Sequence, residues 1–358
     1  MAIAAELLGR DMPGNKLKGS WKVTERLVEP VEATGYSRTY GYKVKHETGR
    51  EAFLKAVDAD LVDADESLVV RLMAVLKHHE FEATVSDHCR GNNMDRVTLA
   101  IDHGSAMLEH NGAKEPVFYL IFELASGDVR QEILLDKNWP ASKKFRLLHH
   151  IAVGLQQLHG AKVTHNDVKP PNILAFSDGH RISDLGQATR DDAIAPHDCY
   201  AVVGDPRYAA PELLYSADGM PGTRLIPNEN RRGTDLYLLG SMVHFLFFGR
   251  MLTPEVLDEL DVNHRPPAEV TGWNGSYVDV TPYWRTAFSN VLERFTSVLS
   301  ESGENVVASN STTLAHVVAE LCEPEPAKRG HVTSVTNGPS HSLVYFISLF
   351  DRLAKNSA

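Results

Sequence analysis

The sequence has little cysteine and no long apolar run. Its three cysteines, Cys89, Cys199 and Cys322, are far apart in 358 residues and lack metal-ligand spacing. This favours a reducing, cytoplasmic setting over a disulfide-stabilised one. No stretch approaches the roughly 18 consecutive apolar residues of a membrane-spanning helix. The segment that begins at Met1 lacks the basic and apolar regions of a signal peptide. We therefore expect a soluble, cytoplasmic protein without a membrane partner.

The sequence also lacks a basic excess, low-complexity tracts and internal repeats. Its net charge is −11 at pH 7, so bulk electrostatics give no support for a nucleic-acid partner. A hydrophobic fraction of 43% and a charged fraction of 23% are typical of a globular protein. The length of 358 residues is enough for one two-lobed domain or two ordinary domains. The composition does not predict an oligomeric state.

What the sequence does contain is a polar loop, residues 165–172, between two apolar segments. Asp167 is followed by Lys169 after two residues and by Asn172 after five, and Asp184 opens an Asp-Leu-Gly triplet. A carboxylate such as Asp167 can orient a hydroxyl and accept its proton, and Lys169 can hold a phosphoryl group. The oxygens of Asn172 and Asp184 are hard ligands that suit Mg²⁺. These residue types in this order indicate phosphoryl transfer.

The pattern His-x-Asp-x-Lys-x-x-Asn with Asp-Leu-Gly at this spacing resembles the catalytic loop and metal-binding triplet of eukaryotic-type Ser/Thr protein kinases. Residues 210–212, Ala-Pro-Glu, resemble the motif that ends the activation segment of that family. The family pairs this glutamate with a late arginine, so Glu212 and Arg329 are predicted to form an ion pair. The resemblance extends over about residues 21–329.

The resemblance implies an α+β fold: a bilobal, protein-kinase-like architecture. Its N-lobe is an antiparallel β-sheet with one main helix, and its C-lobe is mostly α-helical. The implied boundaries are an N-terminal extension at 1–20, an N-lobe at 21–124 and a C-lobe at 125–358. The implied cofactors are ATP and Mg²⁺, and the implied partner is a protein substrate of unknown identity.

The same resemblance assigns roles to individual residues. Asp167 and Lys169 are the catalytic pair, and Asn172 and Asp184 are the metal ligands. Lys55 stands where the family keeps the lysine that binds the ATP phosphates. Its predicted glutamate partner is Glu82, with Glu80 as the alternative.

The remaining predicted nucleotide contacts come from two segments. The predicted strand at 116–124 ends in a turn that resembles the hinge between the lobes. There the backbone groups of Glu123 and Ala125 would hydrogen-bond adenine, and Phe122 would line the back of the pocket. Gly35 belongs to a degenerate form of the glycine-rich phosphate loop, which lacks the family's Gly-x-Gly-x-x-Gly pattern. Glycine matters in such a loop because backbone N–H groups must approach the phosphates closely.

Two further departures lie near the catalytic loop. Asn166 replaces the arginine that in this family holds a phosphate on the activation segment. That segment has few hydroxyl groups, on Thr189, Tyr200 and Tyr208, so we predict that activation does not depend on its phosphorylation. Asp205 stands where the Ser/Thr kinases keep a threonine; its carboxylate could pair with Lys169 and would add negative charge near the catalytic aspartate.

Three functions remain open from the sequence. The first is a Ser/Thr protein kinase, which the lysine two residues after the catalytic aspartate favours. The second is a pseudokinase acting as a nucleotide-binding scaffold, which the degenerate glycine loop and Asp205 favour. The third is a small-molecule phosphotransferase of the aminoglycoside-kinase type, although such enzymes usually lack both that lysine and the Ala-Pro-Glu motif.

The apolar pattern also predicts local structure. Residues 1–20 are expected to form a loop-like lead, and helices are expected to begin after Ser142 and Thr234 as N-caps. The predicted strands are residues 21–28, 40–45, 52–57, 95–101 and 116–124.

Overall fold

The computed structural model describes residues 3–28, 39–57, 68–110, 112–136, 138–268, 271–338 and 341–357. The chain divides into two compact units. We call the first, Met1–Asn93 with Thr98–Ser126 and Ser183–Gly186, the sheet unit. The second, Met94–Val97 with Gly127–Ile182 and Gln187–Ala358, is the helical unit. An antiparallel sheet with one long helix and a mostly helical remainder is the α+β organisation that the resemblance implies, so the predicted fold class is confirmed.

The strands of the described chain have the following bounds: β1 (Asp11–Pro13), β2 (Ser20–Val28), β3 (Thr39–His46), β4 (Glu51–Val57), β5 (Asp102–His110), β6 (Ala113–Glu123), β7 (Gly127–Asp128), β8 (Val163–Thr164), β9 (Ile173–Phe176), β10 (Gly179–Ile182) and β11 (Thr189–Arg190). The α-helices are α1 (Leu68–Arg90), α2 (Val129–Leu135), α3 (Ala141–Gly160), α4 (Pro211–Leu214), α5 (Asn228–Phe248), α6 (Leu252–Glu259), α7 (Tyr277–Ser300), α8 (Asn305–Ser309), α9 (Ser311–Leu321), α10 (Val332–Asn337) and α11 (Val344–Asn356).

The sheet unit is built on six antiparallel strands in the order β1-β2-β3-β4-β6-β5. Side chains alternate between the two faces of a strand, so residues such as Trp21, Tyr42, Leu54 and Tyr119 all bury on one side. The other side of β6 packs against α1, where Ala83 contacts a small cluster with Leu120 and Phe122. This arrangement places residues of β4 and α1 next to each other.

The prediction of a loop-like lead before residue 21 was wrong. Residues 11–13 form β1, which pairs with β2, and Ile3, Leu7 and Met12 are buried in the sheet core. The turn that follows is held by the buried carboxylate of Asp102. It accepts hydrogen bonds from the backbone N–H groups of residues 15, 16 and 17 and from Nε1 of Trp21.

The predicted strand at residues 95–101 was also wrong, and β5 begins only at Asp102. The peptide groups of this stretch go to separate partners: Ala100 N donates to Ser86 Oγ, and Ile101 N donates to Ile121 O. Val97 forms a single isolated bridge with Ile182. Without a shared partner strand, an alternating sequence does not form a ladder.

The helical unit has its core between α3, α5, α7, α9 and α11. The predicted apolar stripe of α3 is buried, with Phe145, Leu148, Ile151 and Leu155 all inside. They pack in one cluster with residues of α5, α7, α9 and α11.

Both predicted N-caps were wrong. The cap position of α3 is Pro140, not Ser142, and the first free N–H group, that of Ala141, donates at 2.8 Å to the carboxylate of Glu304. Helix α5 begins at Asn228, so Thr234 lies inside it and is buried. The Gly/Pro/Asn-rich composition before Thr234 suggested a loop, but tertiary burial of Arg231 favours helix there.

Among the described residues, no single helix combines the length and the apolar character needed to cross a membrane. One pair, Glu229–Phe248 followed by Leu252–Glu259 and bent by 86°, passes that test on length and composition alone.

Candidate active site

The buried carboxylate of Asp235, on α5, holds the loop that carries Asp167. Its oxygens accept hydrogen bonds from the backbone N–H groups of His165 at 2.9 Å and Asn166 at 2.8 Å. Nε2 of His159 lies 2.8 Å from the same carboxylate. Two backbone donors and one ring nitrogen therefore fix the loop just before Asp167.

The Asp167 carboxylate is contacted on both oxygens. Oδ2 accepts a hydrogen bond from Nδ2 of Asn172 at 2.9 Å and lies 3.0 Å from Nζ of Lys169. Oδ1 accepts from the backbone N–H of Asp205 at 3.1 Å. The structure thus brings the three predicted loop residues together, with one donor from the later activation segment.

Gly204 makes this last contact possible. Its φ is +86°, a conformation that costs glycine little and residues with a Cβ more. A Cβ at this position would lie 2.7 Å from the carbonyl oxygen of Asn166 and 2.8 Å from Oδ1 of Asp167. The absence of a side chain lets the backbone of residues 204–205 approach the loop that carries Asp167.

Asp205 has a closer partner than the predicted Lys169. The Lys169 Nζ is 4.0 Å from Oδ2 of Asp205, whereas Arg207 donates to both carboxylate oxygens, with Nη2 at 2.7 Å and Nε at 3.0 Å. Burial raises the pKa of Asp205, but the hydrogen bonds from Arg207 and the charge of Lys169 outweigh it and hold this pKa below its usual range. The negative charge near Asp167 is therefore compensated.

A second group of predicted residues meets in the sheet unit. Nζ of Lys55 lies 3.0 Å from Oε1 of Glu82 and 2.8 Å from Oδ1 of Asp184. Glu80, the alternative partner, is exposed on α1. Burial opposes the charge on Lys55, but the carboxylates of Asp184 and Glu82 outweigh it and keep the lysine pKa above its ordinary value. Lys55 is thus a permanent cation held between two carboxylates.

The strand geometry explains the pairing of Lys55 with Glu82. Lys55 is on β4, opposite Leu120 of β6, and α1 packs on the same face of β6. Asp184 adopts φ of +65°, in the left-handed region that few residues other than glycine, asparagine and aspartate adopt. This backbone turn aims its carboxylate at Lys55.

The predicted adenine contacts lie at the end of β6. Glu123 is the last residue of that strand, paired with Ala52, and Ala125 follows in an irregular, half-buried stretch. Phe122 is buried beside Ala83 of α1. Gly35 falls within residues 29–38, outside the described residues, and its role stays a prediction.

The proposed metal ligands fit a magnesium ion by their chemistry. Nδ2 of Asn172 donates to Asp167, both to its backbone oxygen at 2.8 Å and to its carboxylate, so Oδ1 is the atom through which Asn172 would hold a cation. Asp184 supplies a carboxylate, and both are oxygen ligands of the kind Mg²⁺ prefers. In the described ranges, no three His, Cys, Asp or Glu side chains gather as a separate metal site.

Two residues with a part in this site were missed by sequence reasoning. Arg207 could have been found from the Asp-Pro-Arg spacing, because a cation two residues from a buried carboxylate can reach it in a turn. Nothing in the sequence around Gly204 indicated that a glycine is required there. Its need for a positive φ follows from contacts with a loop almost forty residues earlier, which the sequence does not show.

The ion pair predicted between Glu212 and Arg329 is confirmed. The guanidinium of Arg329 is fully buried and bidentate to Glu212, with Nη2–Oε2 at 2.5 Å and Nη1–Oε1 at 2.6 Å. It also donates to the backbone oxygens of Glu323 and Gly233. Bidentate arginine–carboxylate pairs combine strength with geometric specificity, and this one ties α4 to the segment before α10.

Comparison with known proteins shows the family of this chain. The model of the protein kinase domain family matches residues 42–340. A serine/threonine-protein kinase of Drosophila simulans is 25% identical over 317 residues, which cover 82% of this chain and 36% of the relative. The CBL-interacting serine/threonine-protein kinase 7 of Arabidopsis thaliana is 26% identical over 186 residues, covering 51% of this chain and 42% of the relative.

A third relative, the CBL-interacting protein kinase 4 of rice (Oryza sativa subsp. japonica), is 29% identical over 179 residues, covering 48% of this chain and 39% of the relative. The chain thus spans well under half the length of these relatives. Because the family model covers most of the chain and the motif residues stand together within each unit, this chain belongs to the protein kinase domain family.

Proposed function

We propose that this chain is a serine/threonine protein kinase that transfers the γ-phosphate of ATP to protein hydroxyl groups with Mg²⁺. The observation that supports this best is the Asp167 carboxylate, which Lys169, Asn172 and the N–H of Asp205 contact at 2.9 to 3.1 Å. A carboxylate held on both oxygens is already oriented to receive a hydroxyl proton. The lysine two residues after it favours serine or threonine as the acceptor.

Each residue has a role in this proposal. Asp167 orients the acceptor hydroxyl and takes its proton, and Lys169 steadies the phosphoryl group that moves. Lys55, held by Glu82, binds phosphate oxygens of ATP, and backbone groups of Glu123 and Ala125 bind adenine.

Asn172 and Asp184 are the proposed ligands of Mg²⁺, and Gly35 is a proposed contact of the phosphates. A bound magnesium ion neutralises charge on the phosphate oxygens during transfer. The work of the protein in such a reaction is mainly positioning and charge compensation.

The compensated charge of Asp205 bears on the pseudokinase alternative. From sequence, this carboxylate would repel a substrate near Asp167. Arg207 donates hydrogen bonds to both carboxylate oxygens of Asp205. This pairing reduces the repulsion and favours an active enzyme over a scaffold.

The test is a transfer assay with labelled ATP, Mg²⁺ and a generic basic protein as acceptor. We expect label on the protein with wild type and a loss of at least about 100-fold with Asp167→Asn. The control is Asp178→Asn, because Asp178 is an exposed aspartate paired with Arg181. It should keep wild-type activity.

Two results would contradict the proposal. A nucleotide-dependent rise in melting temperature with no label in any acceptor would identify a nucleotide-binding scaffold. Label on an aminoglycoside, with none on protein, would identify a small-molecule phosphotransferase.

The substrates and partners of this protein are part of the same proposal, because the chain covers only 36% and 42% of the length of two relatives. We propose a protein substrate and no nucleic-acid or membrane partner. Cytoplasmic localisation stays a prediction, which cell fractionation would check.

A further inference from the structure

One buried carboxylate lies in the middle of the segment between the Asp-Leu-Gly and Ala-Pro-Glu motifs. Asp198 is fully buried. Its Oδ2 accepts a hydrogen bond from Nε of Arg224 at 3.1 Å and another from the backbone N–H of Ala195 at 2.8 Å. Its Oδ1 lies 3.8 Å from Nε of Arg231, which is also buried. A buried aspartate is stable only when it is paired in this way.

Arg224 ties more than the Asp198 side chain. Its guanidinium also donates to the carbonyl oxygens of Arg190 at 2.6 Å and Asp191 at 3.4 Å, and to that of Ala193. One cation therefore holds four points of the segment 190–198. The five-donor fork of arginine suits this task, and a lysine could not reproduce it.

The same segment is attached to the catalytic loop at both ends. At its start, β11 pairs with β8, and Nδ2 of Asn166 donates to Gln187 O at 2.9 Å and lies 3.3 Å from Thr189 Oγ1. At its end, the N–H of Asp205 contacts Asp167. Asp198 fixes the stretch between these two attachments.

The charges in this cluster belong to the chain itself. In the resemblance, the arginine before the catalytic aspartate holds a phosphate, and here that position is the neutral Asn166. Asp198 carries a negative charge without modification, and two guanidinium groups surround it. The cluster thus has the composition of a phosphate–arginine anchor, with a carboxylate in place of the phosphate.

We infer that Asp198 is a positioning residue for phosphoryl transfer: through Arg224 it holds residues 190–205 in the arrangement that accepts a protein substrate, without phosphorylation. This inference rests on the proposed kinase function. In this inference, the carboxylate of Asp198 takes the place of a regulatory phosphate on the same segment.

The test compares Asp198→Asn and Arg224→Gln with a matched control, Asp192→Asn. Asp192 lies in the same segment and pairs with Arg190, but its side chain is 59% exposed. Steady-state kinetics with labelled ATP, Mg²⁺ and the generic basic protein give separate KM values for nucleotide and protein. Hydrogen–deuterium exchange of peptides from 190–205 reports the anchor itself.

We expect both variants to lose about tenfold or more in kcat/KM for the protein, since small misplacements near a reacting group have effects of this size. The KM for ATP should change less than about twofold, because Lys55 and Glu82 are untouched. Hydrogen–deuterium exchange should become faster in residues 190–205. Asp198→Glu should keep more of the wild-type kcat/KM than Asp198→Asn does. The double variant, Asp198→Asn with Arg224→Gln, should lose no more kcat/KM than either single variant. Asp192→Asn should match wild type.

Wild-type kinetics and exchange in both variants would overturn the inference. So would equal increases in both KM values together with faster exchange throughout 211–357, which would show general destabilisation. If Asp198→Asn does not fold, Arg224→Gln decides, because its side chain is partly exposed and less costly to change. If wild type transfers no phosphate, the kinase proposal fails, and the exchange of residues 190–205 still decides whether Asp198 anchors the segment.

Discussion

The carboxylate of Asp167 accepts hydrogen bonds from the side-chain amide of Asn172 and the backbone N–H of Asp205, and it pairs with the ammonium group of Lys169. Two of these donors come from residues within five positions in the sequence, so their arrival follows from the loop itself. The third comes from Asp205 and depends on how closely the backbone at Gly204 approaches. The spacing of Lys169 and Asn172 from Asp167 thus accounts for two of the three contacts. The third contact depends on the absence of a side chain at Gly204.

Gly204→Ala is expected to impair transfer and stability together. The added methyl would meet Asn166 O and Asp167 Oδ1 at under 3 Å, at a positive φ. We expect a loss of about 1–3 kcal/mol in the free energy of unfolding and at least about a tenfold loss of kcat. Urea denaturation and the transfer assay measure the two effects.

The control for this prediction is Gly222→Ala. Gly222 has a similar φ of +80° but no heavy atom within 4 Å of the added Cβ. It should show the backbone cost without the loss of kcat. Equal kcat values for the two variants would show that the contact with the catalytic loop is unimportant.

At the scale of elements, the segment from Asp184 to Glu212 bears on how the proposed activity is regulated. Its first hydroxyl, on Thr189, is 1% exposed and lies next to the Asn166 amide, and Tyr208 is also buried. Both of these hydroxyl-bearing side chains are therefore shielded from a modifying enzyme in this structure. A kinase that modified Thr189 would first have to separate β11 from β8.

We therefore predict that activity does not depend on phosphorylation of this segment. Phosphatase-treated wild type and Thr189→Val should both keep activity within about twofold of untreated protein, a difference of under ~0.5 kcal/mol in the activation barrier. The measurement is the transfer assay with mass spectrometry of the segment. A phosphate on Thr189 that raises activity would refute the prediction.

For the molecule as a whole, the Glu212–Arg329 pair connects positions 117 residues apart. Removing Arg329 would leave Glu212 and three backbone oxygens, those of Gly233, Glu323 and Pro324, without their donor. Arg329→Met is expected to lower the free energy of unfolding by about 3–5 kcal/mol, measured by urea denaturation.

Arg285→Met is the matched control for this prediction. Arg285 pairs with Glu323 and Glu325, but its side chain is 43% exposed. Exposed pairs contribute about 0–1 kcal/mol, so this variant should be near wild type. Equal losses in the two variants would show that burial of the Arg329 pair has no special effect.

Three buried histidines predict how stability changes with pH. Burial lowers the pKa of His79 to about 4, of His150 to about 3 and of His244 to about 4, all below the ordinary value of 6.5. Between pH 6.5 and 4 the unfolded chain binds these protons and the folded chain does not, so stability falls as pH falls. Each histidine contributes up to about 1.4 kcal/mol per pH unit.

Urea denaturation at pH 7 and pH 5 measures this slope. His244→Phe should reduce the slope by one histidine's share, because His244 is enclosed by Phe248 and Phe295 and a ring of similar size can replace it. An unchanged slope in this variant would contradict the assignment.

The sequence by itself determined the family of this protein and the chemistry proposed for it. Asp167, Lys169 and Asn172 lie in one short loop, and their order predicts phosphoryl transfer without knowledge of the fold. Four of the five predicted strands, at residues 21–28, 40–45, 52–57 and 116–124, also followed from apolar periodicity and correspond to β2, β3, β4 and β6. The errors, at residues 1–20, 95–101, 142 and 234, occurred where distant partners such as Asp102 and Glu304 replaced local signals.

Only the tertiary structure decided how two buried aspartates are paired. Arg207 binds Asp205 more closely than the predicted Lys169 does, and Arg224 holds the buried Asp198. The physical reason is that an ion pair depends on the distance and burial of its members, and segments far apart in sequence set both. The sequence motifs named the partners of Lys55 and Arg329, but only folding selected those of Asp198 and Asp205.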